Sequence, residues 1–238
     1  MKAELRVDIL TIFPRMFDGP LTESLVGKAR EKGLVDLRVR DIRDFSDDTK
    51  HHGVDDRPYG GGPGMVMKAE PIFRAFRACG VPARKKKGKG PVVIFLSPQG
   101  KPLTQPLADS LARKKRLVLL CGHYEGIDER LAGWIDLEVS VGDVVYTGGE
   151  IPALALTDAV VRQVPGTVKE RDSLTWDSFS SGWEGGLDCS HYTRPALWRG
   201  KKVPAALLSG DHKAIAAWRE ERARKNTKEK RPDLLKSK

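Results

Sequence analysis

Cysteine and long apolar runs are both scarce in this sequence. Its three cysteines, Cys79, Cys121 and Cys189, lie far apart and form no C-x-x-C pair. This spacing argues against a disulfide framework and a zinc site, and for a reducing cytoplasm. No window reaches the roughly 18 uninterrupted apolar residues of a membrane span. Residues 1–14 lack the apolar core and small-residue cleavage site of a signal peptide, and they predict a first strand instead.

Acidic charge is also in short supply relative to basic charge. Lys and Arg number 42 against 32 Asp and Glu, which gives a formal net charge of +10 over 238 residues. The basic residues concentrate at residues 84–89 and 219–238. A solvated loop and tail would explain this charge, and so would a polyanionic partner, most simply nucleic acid.

The glycine-rich segment at residues 55–65 reads DDRPYGGGPGM. It lacks the Gly-Lys-Ser/Thr ending of a Walker loop, and it is not a G-x-G-x-x-G motif. A flexible turn is one interpretation. Acidic, basic and aromatic residues beside four glycines are, however, more typical of a functional loop.

Residues 117–152 contain two apolar strand-like runs, and each run leads into a turn that contains glycine. Glycine lets the backbone approach a ligand closely, and ligands of open α/β sheets collect at the carboxyl ends of the strands. The two turns, together with a third after residue 97, therefore predict one pocket built largely from main chain.

Predicted strands alternate with predicted helices, which indicates an α/β fold with a mainly parallel sheet. We divide the chain into a first domain at 1–166, a polar linker at 167–186 and a small helical domain at 187–238. The predicted strands are 5–13, 34–42, 91–97, 116–121 and 135–139, and the predicted helices are 16–32, 70–78, 104–114, 152–161 and 209–226, the last being amphipathic.

Six segments occur in order: DDRPYGGGPGM, LSPQG, CGHYEGIDER, SVGDVVYTGGEIP, DSF and CSHYTRP. Together they resemble the bacterial tRNA (guanine-N1)-methyltransferases, the TrmD type of SPOUT methyltransferases. The resemblance implies a SPOUT-type sheet with a deep trefoil knot in the first domain, a homodimer with composite active sites, and tRNA binding by the small domain. It also implies S-adenosylmethionine as methyl donor, and as substrate the guanine at tRNA position 37 when another guanine precedes it. The family suggests magnesium dependence, but the sequence shows no oxygen-rich ligand cluster, so no metal ligand is assigned.

The resemblance also assigns roles to residues. Asp177 and Arg162 become the catalytic residues. Those implied to contact tRNA are Asp55, Arg57, Tyr59, Gly60, Gly61 and Gly64. The implied donor pocket comprises Leu96, Ser97, Pro98 and Gly100, then Gly122, Tyr124, Glu125 and Gly126, and finally Val141, Gly142, Asp143, Val144, Val145, Tyr146, Gly148, Gly149 and Pro152. Some relatives carry an aromatic residue where Val144 stands, so the packing around adenosine can differ here.

The chemistry gives the catalytic pair an independent rationale. Guanine N1 carries a proton, so a general base must remove it as the new C–N bond forms, and Asp177 is suited to this. The resulting charge moves to O6, where a guanidinium such as Arg162 stabilises it.

Other interpretations of these residues remain open. Asp177 could be a helix N-cap, and Arg162 an exposed helix position. Glu125 could make a loop hydrogen bond or lie near the methionine end of the donor. Residues 128–130 could cap the following turn or touch ligand, and His123 is most simply a loop residue.

Three aromatic residues of the C-terminal part could stack on an extruded base or pack the small domain: Trp176, Phe179 and Tyr192. Two other functions are also considered, a knotted methyltransferase for another RNA and a non-catalytic RNA-binding relative. A degenerate enzyme should have lost Asp177, Arg162 or the loop glycines, and all are present.

Overall fold

The chain forms two compact units, one ending at Lys169 and the other beginning at Glu170. The structure, a computed structural model, describes residues 3–84, 89–170 and 172–235. Most of the basic cluster at 84–89 therefore lies outside the described residues. Most of the segment predicted as a linker, 167–186, belongs to the second unit.

A five-stranded parallel sheet forms the centre of the first unit, in the order β2-β1-β6-β5-β7. This confirms the predicted α/β fold with a mainly parallel sheet. Its strands are β1 (Leu5–Thr11), β2 (Val35–Asp41), β5 (Val92–Pro102), β6 (Arg116–Cys121) and β7 (Leu137–Ser140). A separate antiparallel pair, β3 (Asp55–Asp56) and β4 (Val66–Met67), closes a hairpin around the glycine-rich segment.

Helices cover both faces of the sheet, which explains why its central strands are almost continuously apolar. The helices are α1 (Ser24–Glu31), α2 (Ala69–Ala78), α3 (Gln105–Ala112) and α4 (Glu150–Gln163). One core lies beneath α1, α3 and α4 and includes Leu5, Leu119 and Leu156. The other lies beneath α2 and includes Phe76 and Leu120.

Two predicted elements of the first unit differ from the structure. The helix predicted at 16–32 was wrong in its first half, because Gly19 and Pro20 interrupt it. A short 3-10 helix at Pro14–Phe17 precedes α1, which ends before Gly33 at a φ of 69°. The strand predicted at 91–97 continues as β5 to Pro102, and its register shifts between Leu96 and Lys101.

The second unit is mainly helical. It contains α5 (Asp172–Thr175), a 3-10 helix at Ser181–Trp183, the hairpin β8 (Leu197–Trp198) and β9 (Lys201–Lys202), α6 (Ala205–Leu208), α7 (His212–Lys230) and a 3-10 helix at Pro232–Leu235. The fully buried positions of α7 are Ala223, Asn226 and Thr227, while Ile215 and Trp218 are half-buried. Among the described residues, no helix is both long and apolar enough to cross a membrane.

Candidate functional site

A pocket of about 320 Å³ opens at the carboxyl ends of β5, β6 and β7. Three segments of the first unit form its walls, and they coincide with the three loops that the sequence predicts. The lining residues are Phe95, Leu96, Ser97, Pro98, Gln99, Gly122, His123, Tyr124, Glu125, Gly126, Ile127, Glu129, Glu138, Val139, Ser140, Val141, Val144, Val145, Tyr146, Thr147, Gly148, Gly149 and Pro152.

Gly100, Gly142 and Asp143 belong to the predicted donor-site residues but do not line this pocket. A Cβ atom on Gly100 would collide with the backbone of Glu138 and Val139. Gly100 is therefore needed where β5 bulges against β7. Gly142 adopts a φ of 151°, and a Cβ atom there would meet no atom within 4 Å. The backbone conformation of the turn, rather than a close contact, therefore explains this glycine.

The glycine-rich hairpin adjoins the pocket through backbone hydrogen bonds. The Glu125 N–H donates to the Met65 carbonyl, and the Met67 N–H donates to the Gly126 carbonyl, both at 3.0 Å. A Cβ atom on Gly64 would collide with the Glu125 side chain. The structure thus brings the predicted tRNA-contacting loop to the rim of the predicted donor pocket.

At the tip of that hairpin, Tyr59 is fully exposed, with a relative accessible surface of 102%. Gly60, Gly61 and Gly64 all take positive φ values. Arg57 is exposed and Asp55 is half-buried at the hairpin base. The loop therefore presents an aromatic ring and a cation on a backbone that only glycine adopts readily.

Gly149 joins the second and third pocket loops. Its N–H donates to the Gly122 carbonyl at 2.9 Å. A Cβ atom on Gly149 would lie 2.7 Å from Cys121 Cα and 2.9 Å from Gly122 N. The glycine is therefore required for contact between two protein segments.

The chemistry of the walls fits S-adenosylmethionine. Three carboxylates, Glu125, Glu129 and Glu138, line the pocket beside uncharged polar side chains, apolar side chains and main chain. Such carboxylates attract the sulfonium and ammonium charges of this donor. Backbone polar groups and apolar side chains suit its adenine ring.

Asp128 caps the turn that follows the pocket loop. Its carboxylate accepts from the Arg130 N–H at 3.0 Å and pairs with the Arg130 guanidinium at 2.6 Å. The hydrogen bond from the Arg130 side chain lowers the pKa of Asp128. Of the interpretations left open for residues 128–130, the structure favours capping for Asp128 and Arg130, while Glu129 lines the pocket.

The two predicted catalytic residues lie in different units. Arg162 is half-buried in the last turn of α4, whose first turn carries the pocket residue Pro152. Asp177 is half-buried in the second unit, where its carbonyl accepts from the Ser180 hydroxyl at 2.6 Å. The N-cap of the next short helix is Ser180, so the N-cap interpretation of Asp177 was wrong.

Aromatic residues of the second unit pack in pairs. The rings of Trp176 and Trp183 lie 5.1 Å apart, and those of Tyr192 and Trp218 lie 6.0 Å apart, both edge to face. Phe179 lies beneath the Arg231 guanidinium. Packing therefore accounts for Tyr192. Trp176 and Trp183 also line a cavity of about 740 Å³ together with basic residues of α7.

Among the described residues, one group has the composition of a metal site: Asp188, Cys189 and His191, whose ligand atoms lie within 4.8 Å of one another. Asp188 already accepts hydrogen bonds from the Cys189 N–H and from the His191 ring. A thiol and an imidazole are poor ligands for magnesium, which prefers oxygen. This group is therefore unsuited to the ion that the resemblance suggests.

Sequence reasoning missed two buried polar residues beside the pocket, Thr11 and Glu150. Thr11 is fully buried at the end of β1, and its hydroxyl donates to the Glu150 carboxylate at 2.6 Å. A lone hydroxyl in the apolar run around Ile9 and Ile12 was a signal for Thr11. Nothing in the sequence separated Glu150 from an ordinary acidic residue at a helix start.

Comparison with known proteins adds a second kind of observation. A family model described as "tRNA (Guanine-1)-methyltransferase TrmD" matches residues 5–237. A protein of Endomicrobium trichonymphae named tRNA (guanine-N(1)-)-methyltransferase is 51% identical over 236 residues, which cover 98% of this chain and 100% of that protein. Proteins of the same name from Synechococcus elongatus and Dictyoglomus turgidum are each 52% identical over 97% of this chain, and the matches cover 94% and 90% of their own lengths.

Proposed function

Because the chain belongs to the tRNA (guanine-N1)-methyltransferase family, we propose that it methylates N1 of the guanine at tRNA position 37 when another guanine precedes it. S-adenosylmethionine, bound in the pocket at the ends of β5, β6 and β7, is the methyl donor. The observation that carries the proposal is the convergence of the three predicted loops on this pocket, beside the glycine-rich hairpin.

The donor supplies a methyl group on a positively charged sulfur. The chain's own residues must orient the guanine, remove its N1 proton and stabilise the charge on O6. Asp177 takes the proton, and Arg162 binds O6 with two parallel N–H donors. Methyl transfer is a displacement at carbon, and its rate depends chiefly on how precisely the donor and the guanine are positioned. A pocket with rigid main-chain walls meets this requirement.

Arg162 is too far from the pocket of its own chain to do this there. It lies roughly 15 Å along α4 from the pocket residue Pro152, since each of the 10 intervening steps rises about 1.5 Å. Just beyond the helix, Gly166 packs beside Leu34, which immediately precedes β2. The far end of α4 is thus at the amino ends of the strands, and Arg162 would serve the pocket of a partner subunit.

This geometry supports a homodimer with composite active sites. In such a dimer, one chain supplies the donor pocket, and the partner supplies Arg162 and, as the resemblance implies, Asp177. Large apolar side chains exposed on the first unit support an interface near the pocket. They include Phe13, Met16, Val145 and Ile151, and Val145 is 87% exposed.

The remaining expectations are parts of the same proposal. The sheet is threaded as a deep trefoil knot, and the second unit binds tRNA through its basic residues. Magnesium assists the reaction without a dedicated protein cage. The free thiols Cys79, Cys121 and Cys189 agree with a reducing cytoplasm.

The direct test is nucleoside analysis of a tRNA transcript incubated with the protein and S-adenosylmethionine. We expect one N1-methylguanosine at position 37, and none when either guanine is replaced. Methylation of another base, or of another RNA in preference to tRNA, would contradict the proposal.

A substitution at Asp177 tests its proposed role as the general base. Asp177→Asn keeps the size of the side chain and removes its basicity, so turnover should fall about 10²- to 10⁴-fold. Calorimetry should show unchanged donor binding, because Asp177 lies outside the pocket-forming unit. Loss of donor binding in this variant would contradict the assigned role.

A further inference from the structure

Glu150 is a buried carboxylate beside the pocket that the mechanism does not use. Its relative accessible surface is 1%. One oxygen accepts from the Thr11 hydroxyl at 2.6 Å, and the other lies 2.7 Å from His123 Nε2. Glu150 is also the first residue of α4.

Asp8, the other buried acidic residue among those described, has different surroundings. Three guanidiniums surround it, at 2.8 Å from Arg6, 3.3 Å from Arg40 and 3.8 Å from Arg116. Glu150 has no such Lys or Arg partner in the described part of the chain. Its burial is compensated by Thr11 at the end of β1 and by His123 of a pocket loop, so removing either partner leaves a buried acceptor unsatisfied.

The hydrogen bonds of Glu150 connect the ends of two strands, β1 and β6, to the start of α4. Thr11 lies at the end of β1, where its hydroxyl also accepts from the Phe13 N–H at 2.8 Å. His123 follows β6, and its ring packs 4.9 Å from the ring of Phe13. Glu150 itself follows the third pocket loop. The carboxylate therefore sets the separation between the second and third walls of the pocket.

Glycine at position 148 makes this arrangement possible. A Cβ atom there would collide with both the His123 ring and the Glu150 carboxylate. Gly148 and His123 line the pocket, whereas Glu150 and Thr11 do not. The hydrogen bonds among Thr11, Glu150 and His123 thus support the pocket from outside its lining.

We propose that Glu150 is a positioning residue that holds His123 through its carboxylate and so keeps the loop at 122–126 in the conformation that binds the donor. The inference rests on the proposed function for the identity of the donor. Without its hydrogen bond to Glu150, His123 would no longer hold the loop, and the loop would sample other conformations. Donor affinity would then fall in proportion to the fraction of molecules whose loop is in the binding conformation. The chemistry of methyl transfer would be unaffected once the donor is bound.

The test compares two isosteric substitutions of buried threonines. Thr11→Val removes the hydroxyl that Glu150 needs. Thr157→Val removes a buried hydroxyl of α4 that has no hydrogen-bond partner among the described residues. Calorimetric titration with S-adenosylmethionine, without tRNA, should show Kd raised about 10-fold for Thr11→Val, since a hydrogen bond of typical strength is lost. The Kd of Thr157→Val should equal that of the wild type.

A double-mutant cycle tests the pairing itself. Glu150→Gln and His123→Ala should each raise the donor Kd, and the double variant should raise it much less than the product of the two effects. His123→Gln restores a donor to Glu150 and should recover part of the loss. At saturating donor, kcat of Glu150→Gln should stay within a few-fold of wild type.

Three results would overturn the inference. One is an unchanged donor Kd in both Thr11→Val and Glu150→Gln. Another is a double-mutant cycle in which the double variant raises the donor Kd by the product of the two single-variant effects. The third is a large loss of kcat at saturating donor, which would place Glu150 in the chemical step. If the wild type itself binds no S-adenosylmethionine, the proposed function fails along with the inference.

Discussion

At the scale of single residues, several pocket glycines are required by contacts within the protein. Gly149 lets the start of α4 approach the end of β6, and Gly122 would place a Cβ atom 2.7 Å from the ring of Phe95. At Gly149 the two backbones are thus closer than a side chain would permit, and at Gly122 the ring of Phe95 occupies the space of a Cβ atom. Such contacts belong to the folded state as a whole, so substitutions there should affect stability.

Gly149→Ala should lower the free energy of unfolding by about 1–3 kcal/mol, because its Cβ would overlap the Cys121 backbone. Gly133→Ala is the matched control, since a Cβ there meets no atom within 4 Å. It should change stability by no more than about 0.5 kcal/mol. Urea unfolding of both variants checks this, and equal stabilities would contradict the packing argument.

Two buried thiols, Cys79 after α2 and Cys121 at the end of β6, should be chemically inert. Burial, and then the charge of Asp8, raises the pKa of Cys79 to about 12. Burial, and then Glu150, raises the pKa of Cys121 well above its ordinary value. Since the thiolate is the reactive form, neither residue should react with Ellman's reagent at pH 8 in the native protein.

Unfolding in urea should release both thiols to react rapidly. Mass spectrometry of the labelled peptides identifies the residues. Rapid labelling of Cys121 in the native protein would mean that the end of β6 opens readily, against the rigid pocket described here.

At the scale of elements, α7 carries the basic surface proposed to bind tRNA. Its cations are not equivalent. Arg222 is half-buried and donates to the Ser190 hydroxyl at 3.0 Å, so it serves the fold of the second unit. Arg219, Arg224 and Lys228 are exposed and line the large cavity of that unit.

Replacing Arg219, Arg224 and Lys228 by Ala should weaken tRNA binding and flatten its salt dependence. Each lost phosphate contact should reduce the slope of log K against log salt by roughly 0.7–0.9. Filter binding between low and moderate salt measures this slope. Arg113, Lys114 and Lys115, exposed on the first unit, provide a control with the same change in charge. Equal slopes for the two triple variants would contradict a specific role for α7.

The sequence could predict the strands of the sheet, because buried parallel strands are continuously apolar. It could not predict that β5 continues through Pro98 and Gly100, since proline and glycine usually end a strand and the bulge depends on contact with β7. It also could not predict which face of α7 is buried. That face is formed by Ala223, Asn226 and Thr227, whose neighbours lie far away in sequence.

At the scale of the whole molecule, the pocket could be predicted from loops that carry their own glycine signals. The carboxylate network behind it could not, because Thr11 and Glu150 are 139 residues apart and only the fold brings them together. The same limit applies to Arg162. An arginine suits the proposed chemistry, but its distance from the pocket depends on the direction in which α4 runs, which the sequence does not reveal.

The central claim is that one complete site combines the pocket of one chain with Asp177 and Arg162 of its partner. Thr147→Trp fills the pocket from an exposed wall position and should abolish donor binding without disturbing the core. Thr147→Ser is its control and should bind donor with a modest loss. Alone, Thr147→Trp, Asp177→Ala and Arg162→Ala should each be nearly inactive.

The decisive measurement is N1-methylguanine formation by purified heterodimers of differently tagged subunits. Pairing a Thr147→Trp chain with an Asp177→Ala chain, or with an Arg162→Ala chain, leaves one pocket intact opposite a partner with both catalytic residues. Each heterodimer should therefore recover a sizeable fraction of wild-type activity, up to about half. Background activity in both heterodimers would contradict the account, because it would mean that each chain uses its own Asp177 and Arg162.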